Sequence, residues 1–265
     1  MFQDPKLNEK LDTTNQPGAT SELWRETSAI GCLQVQNDWI QCGPWGNPKE
    51  KGMGIGWEFN QTAAAEYGLW LNTAGKRFVN ELANRKVRAD AIMVQLLGGK
   101  RCYALCNEAN VGPLNKQRPG HLQRMPDMKI VGKFNTFDEA VKSCGINVDE
   151  AKKSLAQMND AVAKYKDKTE PVWGTFINHD RKPLTEGPWY IGELQPKVHH
   201  SMGGLVTDEQ GRVLDVRTYQ PIPHLWAAGE STGMVHGAVR LGSCAILDCL
   251  VNGRIAGENA GKSEA

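Results

Sequence analysis

The chain has 265 residues, with 31 Lys and Arg against 30 Asp and Glu and a formal net charge of +1. Such a length suffices for a large core and one or two domains, while the balanced, scattered charge offers no basic patch for nucleic acid or an anionic bilayer. No apolar run approaches the roughly 18–20 residues of a membrane span, and the polar opening through Gln16 lacks the apolar stretch of a signal peptide.

Residues 1–20 read as a polar loop that closes on Asn15-Gln16-Pro17-Gly18, which is turn chemistry. Glu22 to Ile30 predicts a helix stopped at Gly31, and Cys32 to Cys42 predicts a strand broken by Gly43-Pro44-Trp45-Gly46. The stretch 47–56 reads as a solvated lid loop. Its Gly52-x-Gly54-x-Gly56 is not a nucleotide fingerprint, because the third glycine comes one residue early and no strand leads into it. Gly68 to Val79 predicts a hairpin around Asn72-Thr73-Ala74-Gly75. An apolar helix from about Arg88 to Leu97 ends at Gly98-Gly99, and the following strand, Arg101 to Cys106, puts Cys102 and Cys106 on one face.

Residues 107–135 carry no clear period and read as loop. Thr136-x-x-Glu139 and Asn147-x-x-Glu150 are capping-box signatures, opening helices that run to Gly145 and to about Lys166. In the second helix Val148, Leu155, Met158, Val162 and Tyr165 form a core stripe. The chain then returns through Gly187-Pro188-Trp189-Tyr190. Its seven cysteines form no Cys-x-x-Cys pair, so free, incidental thiols are expected, with no disulfide framework and no metal site.

The richest stretch is His199 to Gly257. An apolar strand, Leu225 to Glu230, ends in Gly229 and Glu230; a loop with glycines at 233, 237 and 242 follows; the apolar run Ala245 to Ile255 suits a buried helix. A strand, a glycine-rich loop and a helix N-terminus together make a pocket for an electron-rich or anionic group. Within this stretch His199-His200-Ser201-Met202-Gly203-Gly204, Ala227-Ala228-Gly229-Glu230, His236-Gly237-Ala238-Val239-Arg240-Leu241-Gly242 and Gly253-Arg254-Ile255-Ala256-Gly257 occur in one order.

In that order they resemble the C-terminal FAD-binding segment of the fumarate reductase/succinate dehydrogenase flavoprotein family, nearest to its soluble fumarate reductases and their urocanate- and ketosteroid-acting relatives. Upstream, Asn72-x-x-Gly75-Lys76-Arg77-Phe78-Val79-Asn80-Glu81-x-x-x-Arg85 resembles the active-site segment of the same flavoproteins. Thr14-Asn15-Gln16-Pro17-Gly18-Ala19-Thr20 resembles a turn of their FAD domain, except that Ser21 stands where the family has glycine.

The resemblance implies an α/β fold: a partial Rossmann-like FAD-binding domain over residues 1–37 and 200–265, with an inserted α+β substrate-capping domain over 38–199. The family's opening strand, GxGxxG loop and helix, which hold adenosine and pyrophosphate, have no counterpart here, so a fragment or one half of a split protein is expected. The implied cofactor is FAD and the implied reaction is reduction of an activated C=C bond in a small-molecule substrate. Electrons would come from a haem or flavin domain upstream or from a separate protein. A soluble bacterial protein is expected, with periplasm and cytoplasm left open.

By the same resemblance Arg85 is the proton donor. The fumarate reductases recharge that arginine through a Glu and an Arg, but the equivalent positions here are Gln61 and Ala64. Either a relay is rebuilt, with Glu66 and Tyr67 nearby, or another acid serves. His200 and Arg240 match the pair that grips a carboxylate or carbonyl, His199 being the weaker candidate, and Gln41 matches a substrate-contacting glutamine. Gly43 replaces a histidine that grips a second carboxylate, which points to an enlarged pocket for an enoate or enone other than fumarate, with Trp45, Trp57 and Tyr67 as ring-stacking walls. For the flavin, Gly229 and Glu230 would bind the cofactor, Glu230 meeting the ribityl or ribose hydroxyls, and the N–H groups of Ser243, Cys244, Ala245 and Ile246 its C2 carbonyl. Ala19 and Thr20 would line the ring. The rivals are a ketosteroid-type dehydrogenase working in the oxidising direction and a non-catalytic cap-bearing fragment.

Overall fold

The computed structural model describes residues 11–263. Helix α1 (Glu22–Ala29) starts behind Ser21 and stops at Gly31, whose φ of 87° a side chain would resist. The predicted strand after it is two short ones, β1 (Gln34–Val35) and β2 (Ile40–Gly43), because Gln36 turns the chain at a φ of 56°. A short helix, α2 (Gly56–Glu58), continues as π-helical turns over Phe59–Ala65. Strand β3 (Leu69–Asn72) follows, then α3 (Arg85–Leu97) and β4 (Cys102–Asn107).

The segment read as loop holds α4 (Gly112–Gln117), α5 (His121–Arg124) and β5 (Val131–Phe134); elements this short leave no periodicity to read. Helix α6 (Phe137–Ser143) has the predicted reciprocal capping box. In α7 (Val148–Lys164) Asn147 accepts the Glu150 N–H, while Glu150 spends its carboxylate on Lys153. Strands β6 (Trp189–Leu194), β7 (Lys197–Ser201), β8 (Gly204–Leu205), β9 (Arg212–Leu214) and β10 (Pro221–Trp226) lead to α8 (Cys244–Lys262).

The described residues divide into two compact units. One is built from Leu11, Asn15–Cys42 and the chain from Val198 onward; the other from Asp12–Thr14 and Gly43–Lys197. The larger unit is organised by an antiparallel sheet in the order β3-β4-β6-β5. Side chains alternate across it. Trp70, Cys102, Ala104, Cys106 and Tyr190 pack with Phe59, Ile92, Leu114 and Leu122, and Leu69, Leu71, Tyr103, Leu105 and Ile191 pack with α6 and α7. With both faces covered, every residue of β3 and β4 is buried, and Cys102 and Cys106 share one face as expected. All seven cysteines are free.

Two expectations need correction here. The turn at 72–75 forms, with Gly75 N–H on the Asn72 carbonyl, but β3 finds its partner in β4 rather than in residues 76–79. The arm after the turn is diverted by a buried ion pair. Arg77 Nε and Nη2 donate to Glu81 Oε1 and Oε2 at 2.9 and 2.7 Å, and the Trp70 N–H also meets Glu81. Nor is 47–56 a free lid. Glu50 accepts the N–H groups of Ile55 and Gly56, both at 2.8 Å, and the buried Lys197 ammonium donates to the carbonyls of Glu50 and Gly52.

The smaller unit pairs β1 with β8 and β9 with β10 around a small core of Cys32, Leu205 and Val213. Its strand β10 ends at Trp226, and Gly229–Ser231 forms a 3-10 turn. Helix α8 forms where the apolar run predicted it but is not buried: Ile246, Leu247 and Leu250 are 67, 61 and 67 % exposed. Periodicity marks which residues share a face, not whether anything covers it.

Ser21 takes φ 60° and ψ 20°, a left-handed conformation, and its side chain caps nothing. A glycine there relieves about 1–2 kcal/mol of steric cost and gives back about 0.4–1 kcal/mol through a freer unfolded chain. Ser21→Gly is therefore expected to raise unfolding stability by about 0.5–1 kcal/mol, read as a higher urea midpoint at unchanged slope.

Candidate active site

In the smaller unit four predicted residues come together. Gln41, 3 % exposed, donates its Nε2 to the Arg240 carbonyl at 3.0 Å. His200 Nδ1 lies 3.3 Å from Glu230 Oε1, and the same carboxylate oxygen accepts the Ser201 N–H at 2.9 Å. Burial alone would raise the Glu230 carboxyl, but His200, the Ser201 N–H and Arg240 outweigh it and hold it below its ordinary range. His199 is half-buried beside the fully buried His200.

Two residues without an assigned role complete the cluster. His236 stacks edge-on against His200 with ring centroids 5.4 Å apart, and its Nε2 lies 3.2 Å from Asp248 Oδ2 on α8. His236 stood inside the quoted His-Gly motif, so the available signal was its spacing to Asp248, a loop and little more than one turn of helix away. Burial, helped by the positive charge of His200 and Arg240 and opposed by Asp248, pushes the His236 imidazole down.

The cluster holds buried nitrogens short of a partner, Arg240 Nε as a donor and His200 Nε2 as a donor when the ring is protonated, since its Nδ1 faces the Glu230 carboxylate. His200 Nε2 and Arg240 Nε are inaccessible and have no hydrogen-bond partner among the described residues, although Arg240 Nη1 reaches the Leu241 carbonyl. A buried unsatisfied group costs about 1–3 kcal/mol, so such donors mark where an acceptor binds. A groove of about 470 Å³, lined by Val235, His236, Val239, Arg240, Leu241 and Leu247 among others, opens beside them.

Helix α8 begins behind Ser243, held at φ 66°, so the backbone of Ser243, Cys244, Ala245 and Ile246 forms its first turn. The N–H groups of Cys244 and Ile246 turn back toward Leu241 and Ser243 at 3.4 and 3.1 Å. Gly229 approaches α8 closely: a β-carbon there would sit 2.8 Å from Cys249 Sγ. Ala19 and Thr20 lie in the exposed turn before α1, their N–H groups held by the Gln16 and Gly18 carbonyls.

Arg85 belongs to the larger unit. Helix α3 starts three residues earlier than periodicity suggested, because Asn84 Oδ1 accepts the Val87 N–H, and Arg85 is its first residue. The Arg85 guanidinium lies over the Trp45 ring, 4.9 Å from its centroid. Trp45, expected as a ring-stacking wall, carries this cation on its ring. It also removes the expected enlargement at Gly43, where an added β-carbon would meet the indole at 3.2 Å. Trp57 is half-buried on α2, and Tyr67 packs against the core.

The two relay positions differ in fate. Ala64 is sealed in the core. Gln61 Oε1 accepts from Arg88 Nη1 at 2.8 Å. Burial raises the Glu66 carboxyl above its ordinary range, with the Gln61 side chain and Arg88 pulling the other way, and it raises Tyr67 with help from Glu66 and Asp180.

A family described as the FAD binding domain matches residues 5–246. The acrylate reductase flavoprotein subunit of Shewanella woodyi is 33% identical over 97% of this chain and 50% of its own. Among solved structures, the open conformation of a flavocytochrome c3 fumarate reductase superposes with a TM-score of 0.68 at 30% identity, over 96% of this chain and 42% of that one. The 3-ketosteroid Δ1-dehydrogenase of Sterolibacterium denitrificans superposes with a TM-score of 0.71 at 21% identity, over 98% and 50%, a likeness of fold. The chain spans about half the length, or less, of the curated relatives it matches.

The depressed His236 makes the fold sensitive to acid. An unfolded chain takes up that proton near the ordinary value of 6.5, before the folded one does, so stability is full above that pH and falls as pH drops through and below it. Urea midpoints measured from pH 7.5 to 5 are expected to decline, and His236→Gln to flatten the part of the decline that begins near 6.5.

Proposed function

The chain belongs to the FAD-dependent fumarate reductase flavoprotein family, and from that premise we propose that it is the substrate-binding and flavin-facing part of an oxidoreductase that reduces the C=C bond of an enoate. The observation that carries this reading is the buried pair of unpartnered nitrogens, His200 Nε2 and Arg240 Nε, both donors when the imidazole is protonated. They call for an anionic or carbonyl oxygen, the activating group of such an alkene. Gln41 holds the Arg240 main chain in place from behind. His200 and Arg240 draw electron density toward the carboxylate, which leaves the far alkene carbon open to hydride.

The residues present fit FAD. The first turn of α8, Ser243 to Ile246, would present the main-chain N–H groups of Ser243 and Ala245 directly and those of Cys244 and Ile246 by turning from their present carbonyls, suited to the charge that builds on a reduced ring. Glu230, ionised, suits the ribityl or ribose hydroxyls, and the absence of a side chain at Gly229 brings that turn against α8. Ala19 and Thr20 complete the proposed lining. When bound, FAD supplies the hydride. The smaller unit is then the Rossmann-like part of the FAD domain and the larger unit the substrate cap, with electrons from a haem or flavin domain or a separate protein.

Arg85 is the proposed acid that protonates the second alkene carbon. A guanidinium gives up a proton reluctantly, and the feature around Arg85 that favours release is its place at a helix N-terminus. Position 43 has no imidazole for a second carboxylate. A monocarboxylic enoate, as in the name of the acrylate reductase subunit, therefore suits the chain better than fumarate. The reverse, steroid-oxidising reading calls for a tyrosine base, yet Tyr67, Tyr103 and Tyr190 are all shifted upward, away from that role.

The test is reduction of acrylate-type monocarboxylates, with fumarate as the contrast, using a reduced viologen as donor. It is run on the chain with FAD, alone and mixed with a separate GxGxxG-bearing half. Arg85→Gln is expected to lower kcat by about 10²–10⁴-fold. Arg240→Met and His200→Leu are each expected to lower kcat/KM by about 10–100-fold, the worth of a charge-assisted hydrogen bond. Protein that stays colourless in every mixture, or loses nothing on Arg85→Gln, refutes the reading.

A further inference from the structure

Helix α3 opens with three cations, Arg85, Lys86 and Arg88, and has no acidic residue in its first turn. That inverts the usual arrangement, since a helix N-terminus repels positive charge. Lys86 escapes to the surface and pairs with Asp90 at 2.7 Å. Arg88 does not escape. It is 6 % exposed, three residues on from Arg85 and therefore on the same helix face. Its guanidinium lies between two indoles, 5.9 Å from the Trp45 centroid and 5.5 Å from that of Trp70. Arg85 and Arg88 thus share Trp45.

The hydrogen bonds made by Arg88 go to neutral acceptors: Nη1 donates to Gln61 Oε1 at 2.8 Å and to the Glu81 carbonyl at 3.0 Å, while Nε is buried with no acceptor. The charged groups facing it are Arg85 on its own helix, Glu66 at the end of the π-helical segment and Glu81 in the preceding loop. The Glu81 carboxylate is already spent on Arg77, and burial keeps Glu66 from ionising as readily as a free carboxyl. A buried guanidinium without a carboxylate of its own is costly, and nothing in the packing of α3 requires one, because the sheet face beneath it is apolar.

We propose that Arg88 is a positioning residue for proton delivery, its charge set beside Arg85 on the shared Trp45 so that Arg85 gives up a proton more readily. The inference rests on Arg85 being the acid of the proposed reaction. Repulsion between two guanidinium groups is mutual. Burial first, and then the charge of Arg85, press Arg88 down to about 10 against the pull of Glu66 and Glu81. The same Coulomb energy acts on Arg85, where it favours the neutral form that remains once the proton has moved to carbon. Trp45 meets both guanidinium groups and Trp70 that of Arg88 through neutral ring faces.

Opposite shifts from two substitutions test this, read on Arg88 because the repulsion is mutual and Arg88 titrates first. In protein labelled at the arginine Cζ carbons, with the Arg88 signal identified by its loss in Arg88→Lys, the alkaline titration of Arg88 at about 10 is followed by ¹³C NMR. Arg85→Gln removes the like charge and is expected to move the transition to higher pH; Glu66→Gln removes a compensating carboxylate and is expected to move it to lower pH. In the enoate assay Arg88→Gln is expected to lower kcat about tenfold per unit of the Arg85→Gln shift, leave KM nearly unchanged and enlarge the solvent isotope effect. Arg88→Lys, which keeps the charge and guards against loss of folding in Arg88→Gln, is expected to keep kcat near the parent. An Arg88 signal that ignores both substitutions, or moves the same way in both, overturns the proposal. Opposite NMR shifts in a protein that reduces no enoate would sink the proposed reaction and leave the coupling of the two arginines standing.

Discussion

The buried bidentate pair between Arg77 and Glu81 is the constraint on which the larger unit depends. Both side chains are within a few per cent of full burial, and each oxygen of Glu81 is claimed by Arg77, Thr175 or the Trp70 main chain. Glu170 adds a second carboxylate 3.5 Å from Arg77, and it is itself tied to the N–H groups of Val172, Trp173 and Thr175. Removing one partner of such a pair costs about 3–5 kcal/mol because the other is stranded. The pair does more than stabilise. It turns the chain away from the hairpin that its pattern suggests and delivers Asn84, the cap of α3, to a fixed place, so that Arg85 starts the helix.

The two units use polar groups in contrasting ways. Around Arg77 both carboxylates, Glu81 and Glu170, are answered by donors, which suits a scaffold. At the start of α3 two arginines rest on indole faces, and around His200 and Arg240 buried nitrogens are left without a partner among the described residues. Unanswered polarity costs stability and is retained where a ligand or a proton is handled. Lys197 shows the other extreme. Its ammonium is fully enclosed, pairs with Asp12 at 3.1 Å and pins the 47–56 loop by two carbonyls, so a lysine- and glycine-rich stretch that reads as mobile is a fixed part of the fold.

Much of this was legible in the residues. The capping box at Thr136, the α7 stripe, the Gly31 stop and the strand through Cys102 and Cys106 follow from local rules that packing did not override. The association of Gln41, His200, Glu230 and Arg240 was carried by linked motifs, since no spacing rule spans 199 residues. What failed did so for physical reasons. Helices of four and six residues bury too little to leave a period, and a hairpin cannot be told from a turn whose far arm is captured by an ion pair.

The amino-acid order by itself determined the α/β character, the caps, the turns and the family of the chain, because each is written in residues close together or in motifs of fixed order. Only the tertiary structure decided that Trp45 abuts Gly43, that Arg88 joins Arg85 on one indole and that His236 joins His200. It also decided that Ile246, Leu247 and Leu250 of α8 stay exposed among the described residues. Those outcomes depend on which surfaces meet after the strands have paired, and a pattern of apolar and polar residues names the surface without naming its partner.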